Sequence, residues 1–193
     1  MNAESSSNPM KLHKAPDGTV LLLWAGLMEQ FPWVNAGFST RIGGVSTSFR
    51  NGLNCGLHVG DSAKAVIENR RRVAKAAGLN FDQWTCAEQV HGCDVAVVRE
   101  PDFGSGRLSM DDCLPSKDAI ITDVPGAMLA AFYADCVPLW FIDPVHKAVG
   151  LAHAGWRGSH LDVGRETIRA MQNMYGSHPR DLRVAIGPSI RGC

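Results

Sequence analysis

The chain has 193 residues, 45% of them hydrophobic, enough for one substantial core and too few for two comfortable domains. Lys plus Arg equals Asp plus Glu at 19 each, which excludes a strong overall field for nucleic acid or for an anionic membrane. No apolar run approaches the roughly 20 residues of a membrane helix, and the polar, Ser-rich start has no secretory h-region. A disordered lead-in over 1–10, a single domain over 11–193 and a cytoplasmic location are therefore expected. The six cysteines (Cys55, Cys86, Cys93, Cys113, Cys136, Cys193) form no CxxC pair and no zinc-finger spacing, so free thiols in a reducing compartment are expected.

In chain order, Pro16-Asp17-Gly18 is a turn signature and Val20 to Trp24 a short apolar strand. Phe31-Pro32 stops any helix around Leu27 to Gln30. A second strand, Val34 to Thr40, runs into Arg41-Ile42-Gly43-Gly44-Val45-Ser46. Two glycines there would let main-chain N–H groups approach an anion, with Arg41 as a clamp. An ordinary glycine turn with a surface arginine accounts for the same stretch. Asp61 is the expected N-cap of a helix whose apolar stripe runs from Ala63 to Ala77 and stops at Gly78. Arg70 lies on that stripe, which predicts a contact to an internal carboxylate or a bound anion, and Asn69 shares its polar character. Arg71 and Arg72 belong to the solvated face.

Gln89-Val90-His91-Gly92 precedes an alternating strand from Asp94 to Arg99, placing His91 at a strand entrance, as a ligand, a base or a solvent-facing turn residue. Pro101 to Pro115 is polar and acidic, and is expected to be a mobile surface loop. Strands follow at Ala119 to Thr122 and at Ala127 to Phe132. Tyr133-Ala134-Asp135-Cys136-Val137-Pro138 then leads into the apolar run Val137 to Ile142. Another run, Ala148 to Ala152, delivers His153 just before a predicted Gly155-Trp156-Arg157-Gly158 turn. A thiol and an imidazole can so converge at one rim of a sheet. The two residues read equally well as a small buried hydrophobe and a hydrogen-bonded core histidine. A helix from Leu161 to Tyr175, with Leu161, Ile168, Met171 and Tyr175 inward, ends at Gly176, and a last strand covers Leu182 to Ile186. This order of elements predicts an α+β fold, a mixed sheet flanked by helices.

Taken in order, Arg41-x-Gly43-Gly44-Val45-Ser46, Asn69-Arg70, Gln89-Val90-His91-Gly92, Asp118-Ala119, Ala134-Asp135-Cys136-x-Pro138, His153-Ala154-Gly155-Trp156-Arg157-Gly158 and Ile186-Gly187-Pro188-Ser189-Ile190 resemble the YfiH family. That family is variously called multicopper polyphenol oxidase (laccase), peptidoglycan editing factor and purine nucleoside phosphorylase. The resemblance implies a layout like the catalytic domain of cytotoxic necrotizing factor toxins. It also implies a site of His91, Cys136 and His153 that holds zinc, or copper under the older name. Family members continue past the Gly-Pro-Ser-Ile element, so a missing C-terminal part and an uncovered edge near Ile186 to Cys193 are expected.

The implied activity is phosphorolysis of adenosine, guanosine, inosine and 5′-methylthioadenosine, with zinc-assisted deamination of adenosine. Two imidazoles and a thiolate leave a fourth zinc position for water, whose pKa falls to about 7, as deamination requires. Phosphorolysis needs the phosphate charge clamped, for which Arg41 and Arg157 are the candidates. The bland alternative pairs both arginines with Asp118 or Asp135. A laccase in the multicopper sense is disfavoured, since the seven histidines include no HxH pair. The competing enzyme class is a metal-free cysteine hydrolase of cell-wall precursor amides, with Cys136 as nucleophile and His91 or His153 as base. Purine nucleoside and inorganic phosphate are the expected partners. The sequence leaves the oligomeric state open.

Overall fold

The computed structural model describes residues 10–47 and 51–190. Apart from Met10, the predicted lead-in lies outside the described residues, as does Cys193. The fold is mixed α+β, several sheets flanked by helices, and the chain divides into two compact units, Met1–Leu79 and Asn80–Cys193.

In the first unit, β1 (Lys11–Lys14), β2 (Val20–Leu23) and β3 (Gly37–Ser39) form an antiparallel sheet in that order. The β1–β2 hairpin turns at Pro16-Asp17-Gly18, with Gly18 at φ 86 and its N–H donating to the Ala15 carbonyl at 3.0 Å. Helix α1 (Ala25–Gln30) forms after β2 and stops before Pro32 as its sequence requires. Helix α2 (Ala63–Ala76) lays Val73 and Ala76 on Leu21 and Leu23. Its N-cap is Ser62, one residue later than predicted. Asp61 instead accepts from the Ser62 N–H at 2.8 Å and from Asn54 Nδ2 at 2.9 Å. Gly78, at φ 68, follows the helix as its stop.

Two polar residues of α2 point inward. Arg70 is fully buried and donates Nε to the Cys55 carbonyl at 2.7 Å. Asn69, also fully buried, accepts from the Val45 N–H at 2.8 Å and donates to Ser46 Oγ, the Gly52 carbonyl and the Asn54 carbonyl. It thus pins the Arg41–Ser46 loop to the segment that follows it. Gly43 and Gly44 are small for the same reason: side chains there would collide with the backbones of Gly18–Thr19 and Gly52–Leu53.

In the second unit, β4 (Trp84–Cys86), β5 (Val95–Val97), β6 (Ala119–Thr122), β7 (Met128–Ala130), β8 (Val137–Asp143) and β9 (Ala148–Ala154) are followed by α3 (Trp156–His160), α4 (Val163–Tyr175) and β10 (Arg183–Ile186). Strands β10, β8, β9, β6 and β5 form a five-stranded sheet, parallel only between β5 and β6. Strands β4 and β7 pair in parallel as a separate ribbon, so the apolar runs on either side of Cys136 end in different sheets. Period-two alternation divides the core. Ala119, Ile121, Phe141, Ala152 and Ala154 pack with Val163 and Met171 of α4. Ile120 and Leu151 pack with Ala87, Leu129 and Trp140 in a second cluster.

Three local predictions are corrected. The Gly-Trp-Arg-Gly stretch is not a turn but opens α3, and the predicted single helix breaks at Asp162, at φ 60, before α4. Leu161 falls at that break and is 47% exposed rather than inward. The 101–115 loop is tied to β4, with Cys86 N–H donating to the Ser105 carbonyl at 3.0 Å. Strand β10 is an edge of its sheet, and Val184 and Ile186 are exposed. Among the described residues no helix is long and apolar enough to cross a membrane.

Replacing Asn69 by alanine strands several buried partners at once. Asn69→Ala is expected to cost about 2–4 kcal/mol. In urea unfolding followed by circular dichroism, the midpoint should fall with little change in slope.

Candidate metal and active site

The site lies where two strand registers run one residue past their ends. Strand β9 pairs Ala154 with Val137 of β8, so the next pair outward is Gly155 with Cys136. On its other side β9 pairs Ala152 with Ala119 of β6, so the next pair is His153 with Asp118. The His153 N–H donates to the Asp118 carbonyl at 2.7 Å. The third participant comes from the segment before β5, which is parallel to β6 and enters at the same end of the sheet. His91, Cys136 and His153 each present one ligand atom there, all within 4.8 Å of one another. The two imidazoles meet edge to face, with centroids 4.8 Å apart.

Asp118 holds two of these residues in place. Its buried carboxylate accepts the N–H groups of Val90 at 3.1 Å, His91 at 2.9 Å and Gly92 at 2.6 Å. His91 sits in the left-handed region at φ 62, sparsely populated by non-glycine residues, and this turn of donors holds it there. Oδ1 of the same carboxylate lies 2.9 Å from His153 Nδ1. A carboxylate accepts, so Nδ1 carries the proton and Nε2 is left with its lone pair for a ligand.

Burial pushes the His153 imidazole below its usual range, against the pull of Asp118. Burial, Asp135 and Asp118 push the Cys136 thiol up. Tyr133 donates its hydroxyl to the Ala152 carbonyl at 3.0 Å, and its ring lies 5.6 Å from that of His153. Burial raises its pKa too, so it remains a phenol. Gln89 bonds the Phe132 main chain twice, at 2.8 Å each, and so fixes the approach to Cys136. The Gly187–Ile190 segment runs alongside, with Gly187 N–H on the Pro138 carbonyl and Ile190 N–H on that of Asp135.

Convergence also needs empty space. A Cβ on Gly155 would stand 3.0 Å from Cys136 Sγ and 3.0 Å from His91 Cδ2. Its φ of −71 suits any residue, so glycine is required here for room alone. The donor set suits zinc: two imidazoles and one thiol, with His91 exposed. Copper accepts the same donors.

The family described as Multi-copper polyphenol oxidoreductase laccase matches residues 35–193, a span that includes all three donors and most of the chain. The chain belongs to this family, the YfiH family. It is 42% identical over 158 residues to Purine nucleoside phosphorylase YlmD of Geobacillus stearothermophilus, covering 82% of this chain and 58% of that protein. Against Purine nucleoside phosphorylase YlmD of Bacillus subtilis it is 39% identical over 177 residues, covering 92% and 64%. The crystal structure of the Bacillus licheniformis hypothetical protein YfiH matches with a TM-score of 0.86 at 38% identity, covering 95% of this chain and 66% of that one. The chain thus spans less than two thirds of the length of these curated relatives.

Of the five site residues predicted for this YfiH-family chain, three come together. Arg157 lies in the same unit, exposed in the first turn of α3, and is not part of the cluster. Arg41 belongs to the first unit, where it is exposed and donates to the Asn51 carbonyl at 3.3 Å. The N–H groups of Ile42, Val45 and Ser46 beside it already bond Thr40 Oγ1, Asn69 and the Gly52 carbonyl. The predicted main-chain cradle for an anion is therefore largely occupied by the protein itself. Asp118, weighed as an arginine partner, is the residue whose role the sequence did not reveal. Its signal was a carboxylate opening an otherwise apolar strand.

Two substitutions test this construction. Asp118→Asn should weaken zinc binding by about 10–100-fold, because the amide no longer accepts from Nδ1 and the backbone turn alike. Gly155→Ala should also weaken it while far-ultraviolet circular dichroism stays unchanged, since its Cβ separates Cys136 from His91. Competition titration with a chromophoric chelator measures both. Native zinc affinity in either variant would contradict the assignment.

Proposed function

We propose that this YfiH-family chain carries the active site of a purine nucleoside phosphorylase acting on adenosine, guanosine, inosine and 5′-methylthioadenosine, with zinc-assisted adenosine deamination at the same site. The convergence of His91, Cys136 and His153 at one open sheet end carries the reading. The names of the relatives support it. Nucleoside and inorganic phosphate are its partners, and a cytoplasmic location goes with it.

Bound zinc would supply Lewis acidity and an acidic water for deamination at C6. It would be held by Nε2 of His153, Sγ of Cys136 and a ring nitrogen of His91. The chain's own residues supply the rest. Asp118 holds the His153 proton on Nδ1, and the Gln89–Phe132 bonds steady the strand entrance that bears Cys136. In phosphorolysis a phosphate oxygen bonds to C1′ as the bond from C1′ to the purine breaks, and the base leaves with that electron pair and a proton. Arg157, whose guanidinium fork matches a phosphate edge, is the arginine this reading gives to that charge. Arg41 is the second candidate.

The cysteine hydrolase has less support. A nucleophilic thiol needs a lowered pKa, and at Cys136 burial and two carboxylates act in the opposite direction. Copper-dependent polyphenol oxidation is the remaining alternative, and metal analysis of the purified chain separates it from the zinc reading.

The test is release of free base from the four nucleosides as a function of phosphate concentration, read by chromatography. Base release should saturate with phosphate. Arg157→Ala should lower it about 100-fold while sparing adenosine deamination, which uses water. Arg41→Ala tests its own candidate in the same assay. Base release independent of phosphate would refute the phosphorylase, and equal loss of both activities would remove Arg157 from the phosphate.

A further inference from the structure

Two cysteines outside the site border one glycine, Gly106. Cys86 ends β4 and is fully buried, while Cys113 lies half-buried in the loop that leads to β6. Beyond β4 the chain makes a parallel bridge between Ala87 and Leu114. Leu114 N–H donates to the Cys86 carbonyl at 3.2 Å, and Glu88 N–H donates to the Leu114 carbonyl at 2.9 Å. One step before the bridge the pairing stops: Cys86 N–H turns to the Ser105 carbonyl at 3.0 Å, which brings Gly106 beside both cysteines.

A Cβ on Gly106 would lie 2.5 Å from Cys86 Sγ and 2.8 Å from Cys113 Cβ, so both cysteines border one point. Gly106, at φ 70, keeps that point clear of any side chain. Its N–H is held by Asp112 at 3.2 Å and its carbonyl accepts the Cys86 thiol at 3.3 Å. Cys113 offers an oxidant the entry that buried Cys86 does not.

We propose that Cys86 and Cys113 are a reversible disulfide site, oxidised by hydrogen peroxide or a comparable peroxide. Burial and the Glu88, Asp112 and Asp111 carboxylates push the Cys113 thiol up, so this oxidation is slow and speeds as pH rises. The Cys113 thiolate attacks one peroxide oxygen, the O–O bond breaks, the departing oxygen takes a proton, and sulfenic acid and water result. The Cys86 thiolate then attacks that sulfur, the S–S bond forms and the S–O bond breaks, releasing a second water. Two thiols are oxidised by two electrons while one peroxide is reduced to two waters. The crosslink fastens the 103–114 loop to β4, which runs directly into the Glu88–Gly92 turn that carries His91.

The whole chain is treated with graded hydrogen peroxide, capped with N-ethylmaleimide, digested with trypsin without reductant and analysed by mass spectrometry. The peptides bearing Cys86 and Cys113 should appear joined, two hydrogens lighter than their sum, and should separate with dithiothreitol. The joined pair should persist in Cys93→Ser, which removes the other cysteine of the Cys86 peptide, and vanish in Cys113→Ser. The proposal is overturned in the unsubstituted chain if Cys86 is recovered capped at a dose that carries Cys113 to sulfinic acid. A crosslink to Cys86 that survives Cys113→Ser overturns it equally.

Discussion

The carboxylate of Asp118 is the contact on which the site depends. Taking a carboxyl group out of water is costly unless its oxygens find donors, and here four converge on it: three successive N–H groups and the imidazole of His153. The same bonds that satisfy Asp118 hold His91 in an unfavourable backbone region and set the tautomer of His153. One buried residue thus specifies a backbone turn on one side and a ligand nitrogen on the other. Cys136 comes to the same place by a different route, through the register of β8 on β9.

A second constraint is exclusion of bulk. Three side chains can approach a common point only if the residue facing them contributes nothing, and Gly155 does so beside both Cys136 and His91. In the first unit Gly43 and Gly44 serve in the same way, letting backbones touch, while Asn69 binds the loop they form. Glycines that look suited to an anion loop are here occupied by packing. Their N–H neighbours are spent on Asn69, Thr40 and Gly52.

Much of the fold was legible because its signals are local. Alternation in Asp94 to Arg99 and the continuous apolar run after Cys136 marked strands that lie where expected, and Gly78 and Gly176 marked helix ends. Other boundaries failed where tertiary contacts outweighed local preference. Asp61 makes a good N-cap in isolation but is drawn to Asn54, leaving the cap to Ser62. The turn expected at Gly155–Gly158 became α3, and the one long helix broke at Asp162.

At the site, residue chemistry was readable and arrangement was not. The thiol of Cys136 and the imidazoles of His91 and His153 announced themselves by type, by position beside glycine or proline, and by motif. That pointed to the family and to the three residues the fold brings within 4.8 Å of one another, because donor chemistry belongs to single residues. Sequence alone could not say that Asp118 orients His91 and His153, or that Gly155 makes room for Cys136 and His91. Each of those relations joins residues distant in the chain through strand register, and register is settled only when the sheets pack.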